Sequence, residues 1–277
     1  MNKELFRRIL YGGIIGDAMG VPYEFKKQGT FQAEPYMIGH GTYNQPPGTW
    51  SDDTSLTLLL MEALSQNKNP TQYLQSIQKY HEEGYMTPDG FCFDIGSATL
   101  DAVQGYPNLH SKGNGALMRA CPLVYYTWNM DKKEQEREIK KWSEITHPNK
   151  TSTLCVSLYV DLMRAIIKEG ALDAAVKIID TPVYKDLLGF DVSVFCPGST
   201  GCCTDTLATA VVIACSSLNY TSTIIKTIDL GGDTDTNAMV AGTLAAAVYP
   251  LNDDWMDKLR KKDIIDYVLR RFLQMGI

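Results

Sequence analysis

The chain has 277 residues, 44% of them hydrophobic, and a formal net charge of −6. That is enough to bury a large core near the upper size one core fills, so one domain over 1–277 is expected. No Lys/Arg block interleaves with aromatics and no apolar run reaches the roughly 18 residues of a membrane span, so neither nucleic acid nor a bilayer is an expected partner.

Residues 3–20 place Leu5, Phe6, Ile9, Leu10, Ile14, Asp17 and Ala18 at helical spacing. Glycines at 12, 16 and 20 cost helix propensity, and they read as places where another backbone comes close. Pro22 ends this helix. Glu24 then stands between Tyr23 and Phe25, either as a surface acid or as a carboxylate in a pocket whose apolar wall raises its pKa. Residues 26–49 are punctuated by Gly29, Pro35, Gly39, Gly41, Pro46, Pro47 and Gly48, the pattern of a long loop that serves as a lid or site wall.

Trp50-Ser51-Asp52-Asp53-Thr54 opens a helix over 50–66 whose Leu56, Leu59, Leu60, Ala63 and Leu64 share one stripe. A shorter helix follows through Tyr73, Leu74, Ile77 and Tyr80. The run 85–93 is a turn, and Asp94-Ile95-Gly96-Ser97 starts another helix, with Asp94 a candidate N-cap. Gly113-Asn114-Gly115 lies in a glycine-framed loop that is either an ordinary turn or a cradle of amides for an anionic oxygen. A charged helix over 131–142 precedes Thr146-His147-Pro148, and amphipathic helices follow through Leu154 to Ile166 and over 171–179. The segment 197–203 is a loop that feeds a helix from Thr206 through Ala214, and 253–274 reads as one peripheral amphipathic helix. Period-2 alternation is almost absent, so the fold class is all-α with long inter-helix loops, and short strands in 26–49 stay open.

The stretch 231–249, GGDTDTNAMVAGTLAAAVY, sets Asp233, Thr234, Asp235 and Thr236 at the mouth of a nearly all-apolar helix. It shares this architecture with Ser51-Asp52-Asp53-Thr54. One such cluster reads as helix capping. Two clusters of hard oxygen donors suggest that the helices converge and share a positive charge, since buried carboxylates need compensation. Oxygen donors favour Mg²⁺, Mn²⁺ or Ca²⁺ over zinc or copper, and five or six of them suit one ion or two neighbouring ions. With glycine loops nearby, the residues point to metal-assisted hydrolysis of a phosphate-bearing substrate.

The sequence resembles the ADP-ribosylglycohydrolase family. The matching pieces are GDAMGVPYEF at 16–25, GTWSDDTSL at 48–56, FDIGSAT at 93–99, GNGALMRACPL at 113–123, TH at 146–147 and GGDTDTNAMVAGTLAAAVY at 231–249, in family order. The resemblance implies a single-domain orthogonal all-α fold with a centre of two divalent cations, Mg²⁺ or Mn²⁺. By this match Ser51, Asp52, Asp53, Asp233, Asp235 and Thr236 are similar to metal ligands, and Glu24 to the acid near the scissile bond. Asp94 resembles a ribose contact, Gly113, Asn114 and Gly115 a diphosphate cradle, and His147 a distal pocket histidine. Where the family usually carries an aromatic after the glycine at 201, this chain has Cys202-Cys203, so Gly201 and Cys202 stand where an adenosine platform is expected.

The implied reaction is hydrolysis of the N- or O-glycosidic bond between ADP-ribose and a protein side chain or small acceptor, by a monomer. A phosphoester metallohydrolase and a non-enzymatic nucleotide-binding relative are the other readings. The seven cysteines, Cys92, Cys121, Cys155, Cys196, Cys202, Cys203 and Cys215, form no thiolate-ligand spacing and suit reduced thiols of a cytoplasmic protein, in which nothing resembles a signal peptide.

Overall fold

The computed structural model describes residues 1–188 and 195–275. α1 (Lys3–Gly20) starts where the Asn2 side chain accepts the Glu4 and Leu5 amides, and it ends in the 3-10 turn Val21–Tyr23 that contains Pro22. A second 3-10 turn, Gly41–Tyr43, lies in the long loop. α2 (Asp52–Ser65) is capped by Ser51. α3 (Pro70–Glu83) opens on a reciprocal Asn69–Gln72 cap and stops at Gly84 in the left-handed conformation. Three short helices follow, α4 (Ser97–Val103), α5 (Gly115–Met118) and α6 (Cys121–Tyr126). α7 (Lys132–Ser143) carries the charge run and α8 (Lys150–Glu169) packs beside it. Then come α9 (Asp173–Ile179), α10 (Pro182–Leu188), α11 (Cys203–Cys215), α12 (Tyr220–Ile228), α13 (Thr234–Ala246), α14 (Asp253–Lys258) and α15 (Lys262–Leu273). Only isolated backbone pairings, such as Gly113–Cys202, break the helical pattern among the described residues.

Every residue of α13 is buried, as its apolar run predicts, and α1, α11 and α12 pack around it. α1 runs antiparallel along α13 at backbone contact distance. A Cβ added at Gly16 would sit 2.1 Å from the Ala238 carbonyl oxygen, and one at Gly20 would sit 2.4 Å from Asp235 Cα. The glycines expected to admit another backbone therefore do so. That closeness lets Thr234 Oγ1 donate to Gly20 O at 2.8 Å and brings the end of α1 to the start of α13. Buried apolar side chains form one contiguous cluster from Phe6 to Phe272. Each fully buried Leu or Ile in it contributes about 1.5–3 kcal/mol over exposure, which is how the cluster can carry polar strain at the helix ends.

Two expectations change. The segment 253–274 is two helices, because Arg260 N donates to Gly48 O at 3.0 Å and Trp50 Nε1 donates to Arg260 O at 3.0 Å. These bonds hold the joint between α14 and α15, where Lys261 has φ of 51°. Asp94 is not an N-cap: Gly96 takes that position, and the Gly96 amide donates to Asp52 Oδ2 at 3.2 Å. No helix among the described residues is long and apolar enough to cross a membrane.

Candidate metal centre and substrate cavity

The acidic start of α2 is fixed by an acid from α1. Asp17 is fully buried and accepts the Ser51 amide at 3.0 Å, the Thr54 amide at 3.1 Å and the Thr54 hydroxyl at 2.5 Å. It thereby satisfies amides that a helix N-terminus leaves open. With its first turn anchored, α2 presents Asp52 and Asp53 to the interior. Ser51 does cap this helix, accepting from the Asp53 amide at 3.3 Å, and its hydroxyl also reaches Asp53 Oδ2 at 3.3 Å. Asp53 Oδ2 further accepts from Thr236 Oγ1 at 3.3 Å, so the two acidic clusters meet across 183 residues of sequence.

At the start of α13, Asp233 occupies the cap position without using its side chain as a cap. Its Oδ2 instead accepts from Asn114 Nδ2 at 2.7 Å. Gly232, at φ of 67°, places its carbonyl to accept the Phe25 amide at 2.7 Å and its amide to donate to Lys26 O at 2.8 Å. These bonds swing Glu24 in over the acidic turn. Carboxylate oxygens of Asp17, Asp53 and Asp235 lie within 4.8 Å of one another, as do those of Glu24, Asp94 and Asp235, so Asp235 belongs to both groups.

Burial raises the pKa of each of these carboxyls, most legibly Asp17, to about 6, and Glu24, to about 8. For Glu24 the Asp94 charge adds to burial, and the Tyr43 phenol opposes both. Asp52, Asp53 and Asp235 are pushed well above the usual carboxylate range by burial and by their acidic neighbours. Among the described residues no basic side chain forms an ion pair with Asp17, Glu24, Asp52, Asp53, Asp94, Asp233 or Asp235. Asp53 Oδ1 and Glu24 Oε2 are buried with no hydrogen-bond partner among the described residues. Orphaned, acceptor-only oxygens facing like charges are the donor set a hard divalent cation takes. The residues fit such ions. Both oxygens of Asp17 are already occupied by donors, which makes it a holder of α2 rather than a spare ligand.

Above this floor opens a cavity of about 500 Å³ lined by Glu24, Phe25, Asp52, Asp94, Gly113, Asn114, Gly115, His147, Gly201, Asp233 and Thr236, among others. The glycine loop and the loop at 199–203 run side by side, joined by Asn114 N to Gly201 O at 3.0 Å and Cys203 N to Lys112 O at 2.9 Å. The amide of Asn114 is thus spoken for, and the Gly113 amide donates to Ser111 Oγ at 3.2 Å, so the loop is less open as a cradle than its sequence suggests. Cys202 does not join this cavity. It lines a separate one with Lys112, Lys150 and Asp186.

Three further residues shape the site. Asp17 left a trace in the sequence as an acid on the buried stripe of the first helix. Tyr43 left none: it stands on the long loop with its ring 5.2 Å from Phe93, and its phenol favours the charged forms of Glu24 and Asp94. Among the described residues the loop does not itself line the cavity; it is tied to the site where Thr42 Oγ1 donates to Glu24 O at 2.6 Å. Arg119, buried behind His147, is the third.

A helical frame with a paired acidic centre under a ligand-sized cavity is the architecture of a hydrolase built around hard-oxygen chemistry. The chain belongs to the ADP-ribosylglycohydrolase family, whose model matches residues 2–276, and it is a hydrolase of that type. It is similar to ADP-ribosylarginine hydrolase Tri1 of Pseudomonas putida (strain GB-1), 27% identical over 276 residues that cover 90% of this chain and 72% of the relative. It is 25% identical over 272 residues to ADP-ribosyl-[dinitrogen reductase] glycohydrolase of Rhodospirillum rubrum, covering 91% of this chain and 88% of the relative. A solved chain from an ADP-ribosylglycohydrolase-related protein complex shares the fold, with a TM-score of 0.84 over 100% of both chains at 24% identity.

Proposed function

We propose that this protein hydrolyses the glycosidic bond between ADP-ribose and an acceptor side chain or small molecule, releasing ADP-ribose, and that the acceptor is arginine. The observation that carries the reading is the pair of orphaned oxygens, Asp53 Oδ1 and Glu24 Oε2, in an acidic floor with no basic partner among the described residues. Ser51, Asp52, Asp53, Asp233, Asp235 and Thr236 would hold two divalent cations, Mg²⁺ or Mn²⁺. Such ions supply positive charge that polarises the sugar hydroxyls and fixes the ribose.

The chain's own groups do the rest. Asp94 and the glycine loop orient the ribose and diphosphate. Glu24 accepts a proton from the attacking water as its oxygen bonds to the anomeric carbon. The bond from that carbon to the acceptor breaks in the same step, and the departing acceptor atom takes the proton that Glu24 received from the water. Among the described residues no Lys or Arg lines the cavity, so its acidic wall suits a cationic guanidinium as the departing group. Two relatives, from Pseudomonas putida (strain GB-1) and Serratia proteamaculans (strain 568), are named ADP-ribosylarginine hydrolases, which supports arginine.

The test is an assay of arginine-, serine- and acetyl-linked ADP-ribose with Mg²⁺ or Mn²⁺ present and with chelator. Release of free ADP-ribose from the arginine conjugate, abolished by chelator, is expected. Inorganic phosphate as the product would make the protein a phosphoester hydrolase instead, and binding without turnover would make it a non-enzymatic relative.

A further inference from the structure

Arg119 is 1% exposed and has no carboxylate partner among the described residues. Its guanidinium donates to Gly115 O, to Trp142 O and, at 2.6 Å, to Thr146 Oγ1, while the Tyr73 ring lies 5.8 Å from its central carbon. Thr146 is itself fully buried, and its hydroxyl has one other partner, His147 Nδ1 at 2.8 Å.

Proton counting settles the direction of each bond. A guanidinium only donates, so Thr146 Oγ1 accepts from Arg119. The hydroxyl has a single proton, and the remaining neighbour able to receive it is His147 Nδ1. Were Nδ1 protonated, two donors would converge on Thr146 Oγ1 and the buried hydroxyl proton would have no acceptor, an arrangement that buried polar groups avoid. The ring proton of His147 therefore sits on Nε2. Burial first, and then the Arg119 charge, push the imidazole down to about 3, so the ring stays neutral.

Nε2 is the ring atom turned toward the glycine loop. A Cβ built on Gly113 would be 3.3 Å from it and one on Gly115 would be 3.1 Å away, and the residue is 2% exposed while lining the cavity. Among the described residues Nε2 has no hydrogen-bond partner. Since two amides of the loop are already taken and no Lys or Arg among the described residues lines the cavity, an N–H at this point answers a need that the loop leaves open.

We infer that Arg119 and Thr146 are positioning residues that lock His147 as a neutral Nε2–H donor, aimed past the glycine loop at an acceptor-only oxygen of the substrate. The acceptor's identity as a phosphate oxygen of ADP-ribose rests on the proposed function. The tautomer does not. The lock also discriminates, since a ligand presenting its own donor at this place would meet an N–H that cannot turn into an acceptor.

Long-range ¹H–¹⁵N spectra of the full-length protein labelled at histidine nitrogens read the tautomer directly, with His147 assigned by its loss in His147→Gln. Without ligand, Nε2 should show the protonated, pyrrole-type shift and Nδ1 the unprotonated, hydrogen-bonded shift. Thr146→Val should change the Nδ1 resonance and weaken ADP-ribose binding about tenfold, the scale of one hydrogen bond, by calorimetry. Thr146→Ser, which keeps the hydroxyl, should restore both. A protonated Nδ1 in the wild type, or unchanged His147 shifts in Thr146→Val, overturns the inference. A changed tautomer with unchanged ADP-ribose affinity overturns the donor role. If the wild type shows the stated tautomer but binds no ADP-ribose, the proposed function fails while the relay stands.

Discussion

Thr54 gives both its amide and its hydroxyl to one oxygen of Asp17, at 3.1 and 2.5 Å. Through this pair the first helix dictates where the second begins, and so where Asp52 and Asp53 point. Asp17→Asn keeps the shape but turns one acceptor into a donor facing the Ser51 and Thr54 amides. We expect a loss of about 1–3 kcal/mol in urea unfolding of the metal-free protein, the scale of a buried group left unsatisfied. Metal-dependent stabilisation should weaken but persist. If metal-free stability rises and metal binding disappears, Asp17 is a ligand and not a holder.

The acidic floor makes stability depend on pH in a stated direction. Burial lifts Glu24 from its ordinary 4.5 to about 8 and Asp17 from 3.8 to about 6. Because the folded pKa values exceed the unfolded ones, the folded chain keeps protons that the unfolded chain releases, and stability falls as pH rises through this window. In chelator, the melting temperature should drop between about pH 5 and 8. Mg²⁺ or Mn²⁺ competes with those protons, so the stabilisation it adds should grow over the same range. Calorimetric scans in both conditions check this, and a metal-free melting temperature that climbs across the window contradicts it.

Most of the longer helices and the acidic turns were legible in the sequence because their causes are local, while α10 and α12 were not read from it. Ser51 caps the helix it precedes, and the apolar run after Asp233 marks α13. Convergence of the two clusters was inferable only from their likeness; the Thr236–Asp53 contact that joins them is long-range. Tyr43 was not legible, since the path of its loop depends on Gly41 at φ of 61° and on the bond from Thr42 to Glu24 O, neither of which has a period. The break at Lys261 was hidden for the same reason: partners at Gly48 and Trp50 impose it. Tertiary hydrogen bonds there override an amphipathic pattern that runs on.

Cys202 separates the expected pocket from the observed one. Its thiol sits 3.3 Å from Thr204 Oγ1, and the residue lines the cavity it shares with Lys112 and Lys150. An aromatic platform expected after Gly201 therefore has no counterpart in this side chain. Alkylation of Cys202, followed by peptide mass spectrometry to separate it from exposed Cys196 and Cys215, should proceed at the same rate with or without saturating ADP-ribose. Strong protection by ADP-ribose, absent with a nucleotide that does not bind, would place Cys202 in the substrate cavity after all.

Glu24 is the group we assign to the chemical step, and its surroundings give the reason. One carboxylate oxygen has no hydrogen-bond partner among the described residues, burial favours holding a proton, and a carboxylate oxygen of Glu24 lies within 4.8 Å of one from Asp94. Glu24→Gln preserves volume and removes the proton acceptor. If Glu24 receives the proton of the attacking water, kcat should fall by about 10²-fold or more, the range of a general base contribution. The affinities for Mn²⁺ and ADP-ribose should change far less. If Glu24 serves mainly to hold an ion, the same substitution should weaken Mn²⁺ binding first, and excess metal should restore most of the rate. Measuring kcat across a metal titration, with Mn²⁺ and ADP-ribose binding followed separately, tells the two roles apart. Wild-type kcat at low metal in Glu24→Gln would remove Glu24 from both.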